Sequence, residues 1–386
     1  MQMNWLTYKI KGDIWIWLIV FALSVFSILA VYSSTGALAY QKYDGNTTVL
    51  LFKHIMMVVA GLILMYVAHK INYRYYSVIA TLMLIIAIPL LLYTLFFGSN
   101  INEAKRWITI PIINQTFQTS DWAKLALIMF LAKELTKRQE RIKDFKSGFL
   151  PIFSSVILIF LLIAPANLST ALMIFGTSVL ILLIGRVSFR QISLVCLGGL
   201  IVLAGIVMLG PRRETYKSRI YAFLNPEKAD PDKSYQADHA RMAIATGGWF
   251  GKGPGHSLER NYLPQAYSDF IFAIIIEEWG LVAGFILVFL YLFLLYRCIK
   301  IITKSPKAFG ALLATGLSFS LVIQALANMA VATHLLPVTG VSLPLVSMGG
   351  TSILFTSMAF GIILSVSREV DQELNLSMEG GLGEIA

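Results

Sequence analysis

Tyr262-Leu263-Pro264-Gln265-Ala266-Tyr267-Ser268-Asp269-Phe270-Ile271-Phe272 runs directly into an apolar stretch that continues to Tyr296. About 20 mostly apolar residues suffice for a helix to cross hydrocarbon, so residues 270–296 are read as a membrane span. The hydroxyls, acid and proline then stand at its mouth. Two later strings have the same character: Leu335-Leu336-Pro337-Val338-Thr339-Gly340 and Leu343-Pro344-Leu345-Val346-Ser347-Met348-Gly349-Gly350-Thr351-Ser352. Such groups replace the solvated turns or plain hydrocarbon expected between spans, and they predict a polar site at the mouth of a membrane bundle.

The rest of the chain agrees with a membrane class. Apolar residues make up 57% and charged residues 13%, against about 25% charged in a soluble domain, and the mean hydropathy is +0.73. Ten apolar runs lie near 14–33, 50–68, 77–97, 119–135, 148–164, 168–185, 191–210, 270–296, 308–332 and 347–366. A strand in lipid needs barrel closure and alternating polarity, and neither pattern is present. The expected fold is an all-α polytopic integral membrane protein of ten transmembrane helices, with a long extracytoplasmic loop at about 211–268 between spans 7 and 8. The first run follows Lys9 and Lys11 without a small-residue cleavage site, so it is expected to be a retained span. No separate soluble domain is left over, and residues 1–386 are expected to form one membrane domain.

Lys and Arg in short loops set orientation. An inside N-terminus gives the cytoplasmic side Lys9, Lys11, Lys70, Arg74, the Lys133–Lys146 segment, Arg186, Arg190, Arg297, Lys300, Lys304, Lys307 and Arg368. The short outer loops then receive Lys42, Lys105 and Arg106, and both termini are cytoplasmic. The long outer loop is itself basic, with Arg212, Arg213, Lys217, Arg219, Lys228, Lys233, Arg241, Lys252 and Arg260, so the net charge of +10 is not only a topology signal. An anionic partner outside is expected.

Other chemistries leave no pattern. Cys196 and Cys298 lack CxxC spacing, and the five histidines lack zinc-ligand spacing. The stretch Gly247-Gly248-Trp249-Phe250-Gly251-Lys252-Gly253-Pro254-Gly255 invites a phosphate-loop reading. That motif requires Ser or Thr after the Lys and a preceding strand, so nucleotide binding is rejected. A Gly-rich turn, or a backbone approach to an anion helped by Lys252, are the two readings left.

Polar residues within spans are costly and need a reason. A Lys at mid-bilayer costs about 2.5–3.5 kcal/mol on insertion scales. Lys124 lies about four residues into the fourth run, with Asp121 one turn earlier on the same helix face. The two are either a structural pair or part of a cavity in which a cation beside Arg106 meets a phosphate-bearing lipid. Glu277 and Glu278 fall about two turns into the eighth run, roughly 11 Å at 1.5 Å per residue. Adjacent acids do not share one helix face, so at least one is expected to pair with a cation or to be neutral. Gln324 and Asn328, at i and i+4, suit hydrogen bonds between helices. Asp269 fits two roles, a helix N-cap or a general base toward a sugar hydroxyl.

On these residues the chain resembles the SEDS family (shape, elongation, division and sporulation), the FtsW/RodA type of peptidoglycan glycosyltransferase, over nearly its whole length. The resemblance is carried by Lys105-Arg106-Trp107, by Gln118-Thr119-Ser120-Asp121-Trp122-Ala123-Lys124 and by Asn167-Leu168-Ser169-Thr170-Ala171. Gln236, the Gly247–Gly255 stretch, Leu263-Pro264, Ser268-Asp269-Phe270-Ile271-Phe272, Glu277-Glu278-Trp279-Gly280 and the two terminal strings add to it. Departures are Asp121 where many members have Glu, Asn167 where Asp is usual, and Met348 where Tyr is common. The Met-Gly-Gly-Thr-Ser form leans toward an FtsW-like, division-type member.

The resemblance implies an inverting polymerase of lipid II, the undecaprenyl-pyrophosphate disaccharide-pentapeptide, at the outer face of the bacterial inner membrane. It implies a class B penicillin-binding protein transpeptidase and other divisome or elongasome membrane proteins as partners, and no nucleic acid. A pyrophosphate leaving group needs cations more than an acid, and the sugar hydroxyl needs a base. Asp269 is therefore assigned as base, with Arg106, Lys124, Arg219, Lys252 and Ser347 as substrate-binding residues. Asp121, Gln236, Glu277 and Glu278 are supporting residues. No cofactor is required by the sequence; a divalent cation, Mg or Mn, would assist the leaving group, but no carboxylate cluster fixes its site. The rival reading is a lipid II flippase or transporter, which needs a polar path to both faces. A non-catalytic scaffold for a transpeptidase has no need of an acid at the membrane mouth.

Overall fold

The computed structural model of the protein describes residues 11–101, 104–110, 115–210, 212–225 and 231–383. Lys9, Pro211 and Lys228 lie outside the described residues. Helices start where short polar side chains can take up free backbone N–H groups. Asp13 accepts from Trp15 N at 2.9 Å ahead of the Ile14–Ser34 helix. Asn46, Asn72, Asn167 and Ser188 do the same for the helices Thr47–Lys70, Tyr73–Phe97, Leu168–Ile184 and Phe189–Leu209.

Among the described residues, eight helices are long and apolar enough to cross a membrane. The two other expected runs also form helices. Leu168–Ile184 has 17 residues, and Thr119–Lys137 carries Asp121, Lys124, Lys133, Glu134 and Lys137. The first and last spans meet end to end, because Asp13 N donates to Ser367 Oγ at 3.0 Å. Arg297 clasps the Asp13 carboxylate at 2.5 Å, and Arg74 and Lys307 both reach Glu373. That end of the bundle holds cations expected to be cytoplasmic.

At the opposite end the structure adds what an all-helical reading omits. Between Phe97 and Thr119 lies an antiparallel sheet of three strands, β1 (Ser99–Ile101), β2 (Ala104–Ile110) and β3 (Gln115–Gln118), in the order β1-β2-β3. Its register pairs Trp107 with Gln118 and Ile108 with Phe117. A hairpin satisfies its own backbone groups outside hydrocarbon, so it needs no closed barrel there. β3 passes directly into the Thr119–Lys137 helix, which fixes Arg106 above Asp121 and Lys124. The described part of the 211–268 loop is also folded, with helices Arg213–Leu224 and Pro231–Gly247.

The eighth span differs most from its expected form. The helix Ile271–Lys304 is interrupted at Gly280, whose φ of 77° and ψ of −179° are not helical. A Cβ on Gly280 would lie 2.1 Å from Trp249 O, and one on Gly251 2.2 Å from Glu278 O. Glycine is required at both because backbone packs on backbone, at a break where both residues hold positive φ. Across it, Lys252 N donates to Glu277 O and Gly253 N to Glu278 O, each at 2.9 Å, and Leu281 N donates to Gly248 O at 2.9 Å. The Gly-rich stretch is therefore neither a loose turn nor a cradle for anions.

Candidate active site

A cavity of about 350 Å³ opens where the sheet, the Thr119–Lys137 helix, the loop before Ile271 and the 340–350 segment converge. Arg106, Asp121, Lys124, Asp269, Gln324 and Gly340 are among its lining residues. It gathers residues from positions 106 to 352, which are separated in sequence by most of the chain.

Asp269 is not a helix cap. The N-cap position of the following helix is Phe270, with no side-chain cap bond. Among the described residues, the Asp269 carboxylate instead accepts one hydrogen bond, from Ser268 Oγ at 3.0 Å. Burial pushes its carboxyl above the ordinary aspartate range, while the Ser268 bond and the cations Arg106 and Arg219 pull it back in part. A carboxylate so held is more basic than a solvated one. Its backbone is anchored: Asn328 Nδ2 donates to Asp269 O at 2.8 Å and to Val341 O at 2.7 Å. Gln324 joins two helices as expected, accepting from Lys124 Nζ, and also donates to Ser342 O; Asn328 instead joins its helix to the two loops that form the site.

Cations face this acid. A Cβ on Gly340, which has φ of +68°, would lie 3.3 Å from Asp269 Oδ2 and 3.6 Å from Arg106 Nη1. The two charged groups thus flank a residue with no side chain. Arg106 Nε donates to Ala166 O at 3.0 Å, and Arg212 Nη1 donates to the same oxygen at 3.1 Å. Burial, with Arg212 and Arg219 nearby, brings the Arg106 guanidinium down to about 10. It stays charged at neutral pH, in a crowd of like charge that favours an anion. Arg219 donates to Val338 O at 3.1 Å, and burial lowers its guanidinium as well. Arg212 was part of the basic loop in sequence but carried no separate signal; its position directly after the seventh span was the clue.

Lys124 lies deeper, where its Nζ donates to Gln324 Oε1 at 2.8 Å and stands 3.9 Å from Asp121 Oδ1. The two form an ion pair and also line the cavity that Arg106 lines. The small space beside them is lined by apolar side chains such as Leu125, Ile128, Leu317 and Phe355, together with Ser320 and Thr356.

The remaining expected residues fall elsewhere. Ser347 lies behind the site: its Oγ donates to Ser268 O at 2.6 Å and accepts from Leu343 N at 2.8 Å. With Met348 N donating to Tyr267 O at 2.9 Å, it bolts the 343–348 segment to the Asp269 loop. Lys252 is outside the cavity and pairs with the buried Glu277 at 2.7 Å. Glu277 also accepts from Leu258 N and Ser257 Oγ, and Glu278 accepts from Ser33 Oγ and Ser257 N. Both acids thus meet the Ser257–Leu258 loop, just before the helix is interrupted at Gly280. Gln236 lines a different cavity. Among the described residues no group of three or more His, Cys, Asp or Glu is placed to hold a metal ion.

A family model described as "Cell cycle protein" (FTSW_RODA_SPOVE) matches residues 13–372, and the chain belongs to that FtsW/RodA/SpoVE family. It is 32% identical to stage V sporulation protein E of Bacillus subtilis, over 94% of this chain and 98% of that one. It is 33% identical to a probable peptidoglycan glycosyltransferase FtsW of Geobacter sp. strain M18, over 93% and 98% of the two chains. Among solved structures it shares its fold with the rod-shape-determining protein RodA of Thermus thermophilus, at 23% identity and a TM-score of 0.68 over 95% and 98% of the chains. A chain of a peptidoglycan synthase complex that coordinates polymerization and crosslinking matches at a TM-score of 0.74 and 24% identity, over 93% and 98%.

Proposed function

We propose that this protein is a peptidoglycan glycosyltransferase that polymerises lipid II at the outer face of the cytoplasmic membrane. The observation that carries the reading is the cavity in which one under-bonded carboxylate, Asp269, faces Arg106 across Gly340 with Lys124 below. Asp269 takes the proton of the acceptor sugar's 4-hydroxyl as that oxygen bonds to the anomeric carbon of the growing chain. The anomeric carbon–oxygen bond to the lipid pyrophosphate breaks on the opposite face, so configuration inverts. Arg106 and Lys124 receive the charge that develops on the leaving group. The relatives named peptidoglycan glycosyltransferase support the activity.

A flippase needs a polar route through the bundle. The small space below Asp121 and Lys124 is lined mainly by apolar side chains, with Ser320 and Thr356 as its uncharged polar members, and this supports a site open to one face. The protein is further proposed to be one membrane domain of ten spans with both termini cytoplasmic; the Asp13–Ser367 contact, which brings the first and last spans together at one face, supports an even count. A class B penicillin-binding protein is its proposed partner, in line with the fold shared with a chain of a synthase complex.

The test is to supply lipid II to the purified protein, alone and with a single-span class B penicillin-binding protein, and to resolve glycan chains on a gel. Polymer from the parent and none from Asp269→Asn is expected. Lipid II translocation with no polymer under either condition would overturn the assignment in favour of a transporter.

A further inference from the structure

A second cavity of about 330 Å³ lies on the outer side, between the helices Arg213–Leu224 and Pro231–Gly247 and the 334–338 segment. Its wall toward the Asp269 cavity is a single thickness of chain. Pro264 lines the second cavity and Gln265 the first; Pro337 and Val338 line the second, and Gly340 and Val341 the first. Two separate stretches of backbone therefore divide one outer space into two chambers of nearly equal size.

The chambers differ in chemistry. The first holds the acid and the deep cations, whereas the second presents Phe223, Tyr235 and His334 together with the guanidinium groups of Arg219 and Arg241, and no carboxylate among its described lining residues. Phe223 and His334 stand 5.2 Å apart by ring centroid, and Tyr235 rests on His239 at 4.2 Å. Aromatic faces backed in this way are rigid platforms for the C–H faces of a pyranose ring. Guanidinium groups recognise carboxylates. Arg241 is shared with Asp238 at the rim, and Arg219 holds the partition itself through Val338 O.

Forming a glycosidic bond requires two saccharides to meet at one base. Resting on the glycosyltransferase reading, we infer that the second cavity seats one saccharide of the reacting pair, an amino-sugar headgroup bearing a carboxylate, while the Asp269 cavity holds the pyrophosphate end. The sugar lies against Tyr235 and Phe223, its acid turns to Arg241 and Arg219, and its reacting end crosses the partition at Gly340 toward Asp269.

The full-length protein in nanodiscs tests this with two probes, a lipid-free disaccharide-pentapeptide and farnesyl pyrophosphate. Ala237→Trp fills the second cavity, and Tyr235→Ala removes a platform. Each is expected to weaken saccharide binding by about tenfold or more, the effect of losing well-packed aromatic contacts, while farnesyl pyrophosphate binds as in the parent. Arg241→Gln should weaken the acid-bearing saccharide and leave its amidated form unchanged. If Ala237→Trp does not fold, Tyr235→Ala and Arg241→Gln decide alone. Saccharide binding unaltered by these variants, or lost together with pyrophosphate binding, would overturn the inference. Failure of the parent to make polymer, with saccharide binding still sensitive to the variants, would sink the enzymatic reading and leave the second site standing.

Discussion

Asp269 and the pair Glu277–Glu278 lie within ten residues of each other on the same stretch, yet their surroundings are opposite. Glu277 is fully buried and held by Lys252, Ser257 and Leu258 N. Glu278 is held by Ser33, Ser257 N and the more distant Arg260. Asp269 accepts one side-chain hydrogen bond and otherwise faces the cavity. A carboxylate whose acceptor sites are filled by its own chain holds a fold together; one left with free lone pairs beside cations is available for a proton. The difference teaches that the number of internal partners, more than burial or nearby charge, separates the structural acids from the reactive one.

The largest expected effect is on Asp269→Asn: glycan synthesis falls by about 10²–10⁴-fold, the usual contribution of a general base, at an unchanged melting temperature. Lys252→Met is its mirror image. It leaves buried Glu277 without its ion-pair partner, and breaking such a pair costs on the order of 3–5 kcal/mol, the lower end applying because Ser257 and Leu258 N still hold the carboxylate. A thermal melt in detergent reads it. A Lys252→Met protein that melts like the parent but makes no polymer would break the comparison, placing Lys252 on the substrate after all.

Asn328→Ala frees the backbone on both sides of the site. Misplacement of a reacting group by about 1 Å costs as much as 10²-fold, so turnover should fall by about ten- to a hundredfold while the pH profile keeps its shape. Arg106→Gln sharpens the contrast by another route. Arg106 is one of the groups lowering the Asp269 carboxyl, so its removal raises that pKa and keeps the base protonated to higher pH. The acid limb of kcat/KM against pH should move upward, and a limb that stays in place would disconnect the two residues. Smallest is Arg138→Ala, which removes an i,i+4 pair with Glu134 at 2.7 Å. Because Glu134 is buried, the loss exceeds the roughly 0.3–0.5 kcal/mol of an exposed helix pair, and it falls on stability, with no loss of polymer expected.

Apolar runs and loop cations were enough to place the helices, because burial in lipid demands long uninterrupted hydrocarbon. The sheet was missed because β1 and β3 have only three and four residues, too few for a period-2 pattern to stand out. The break at Gly280 was missed because Leu281 resumes an apolar run, and hydropathy does not register a positive φ. Asp269 and Arg106 could be singled out as charges at a membrane mouth. That Gly340 stands between them, and that Lys252 turns away to Glu277, depends on long-range packing that no local spacing encodes.

Gln324 joins Lys124 to the 340–350 segment, its Oε1 accepting from Lys124 Nζ and its Nε2 donating to Ser342 O at 3.0 Å. An ammonium only donates and a backbone carbonyl only accepts, so the amide has one permitted orientation. It acts as a polarity adaptor, a connector with a fixed plus end and a fixed minus end. Glutamate in its place would set a carboxylate against the Ser342 carbonyl, and a hydrocarbon side chain would leave both neighbours unmatched. The position therefore requires a dipole of defined direction and tolerates neither a charge nor an apolar substitute, although Gln324 itself transfers no proton.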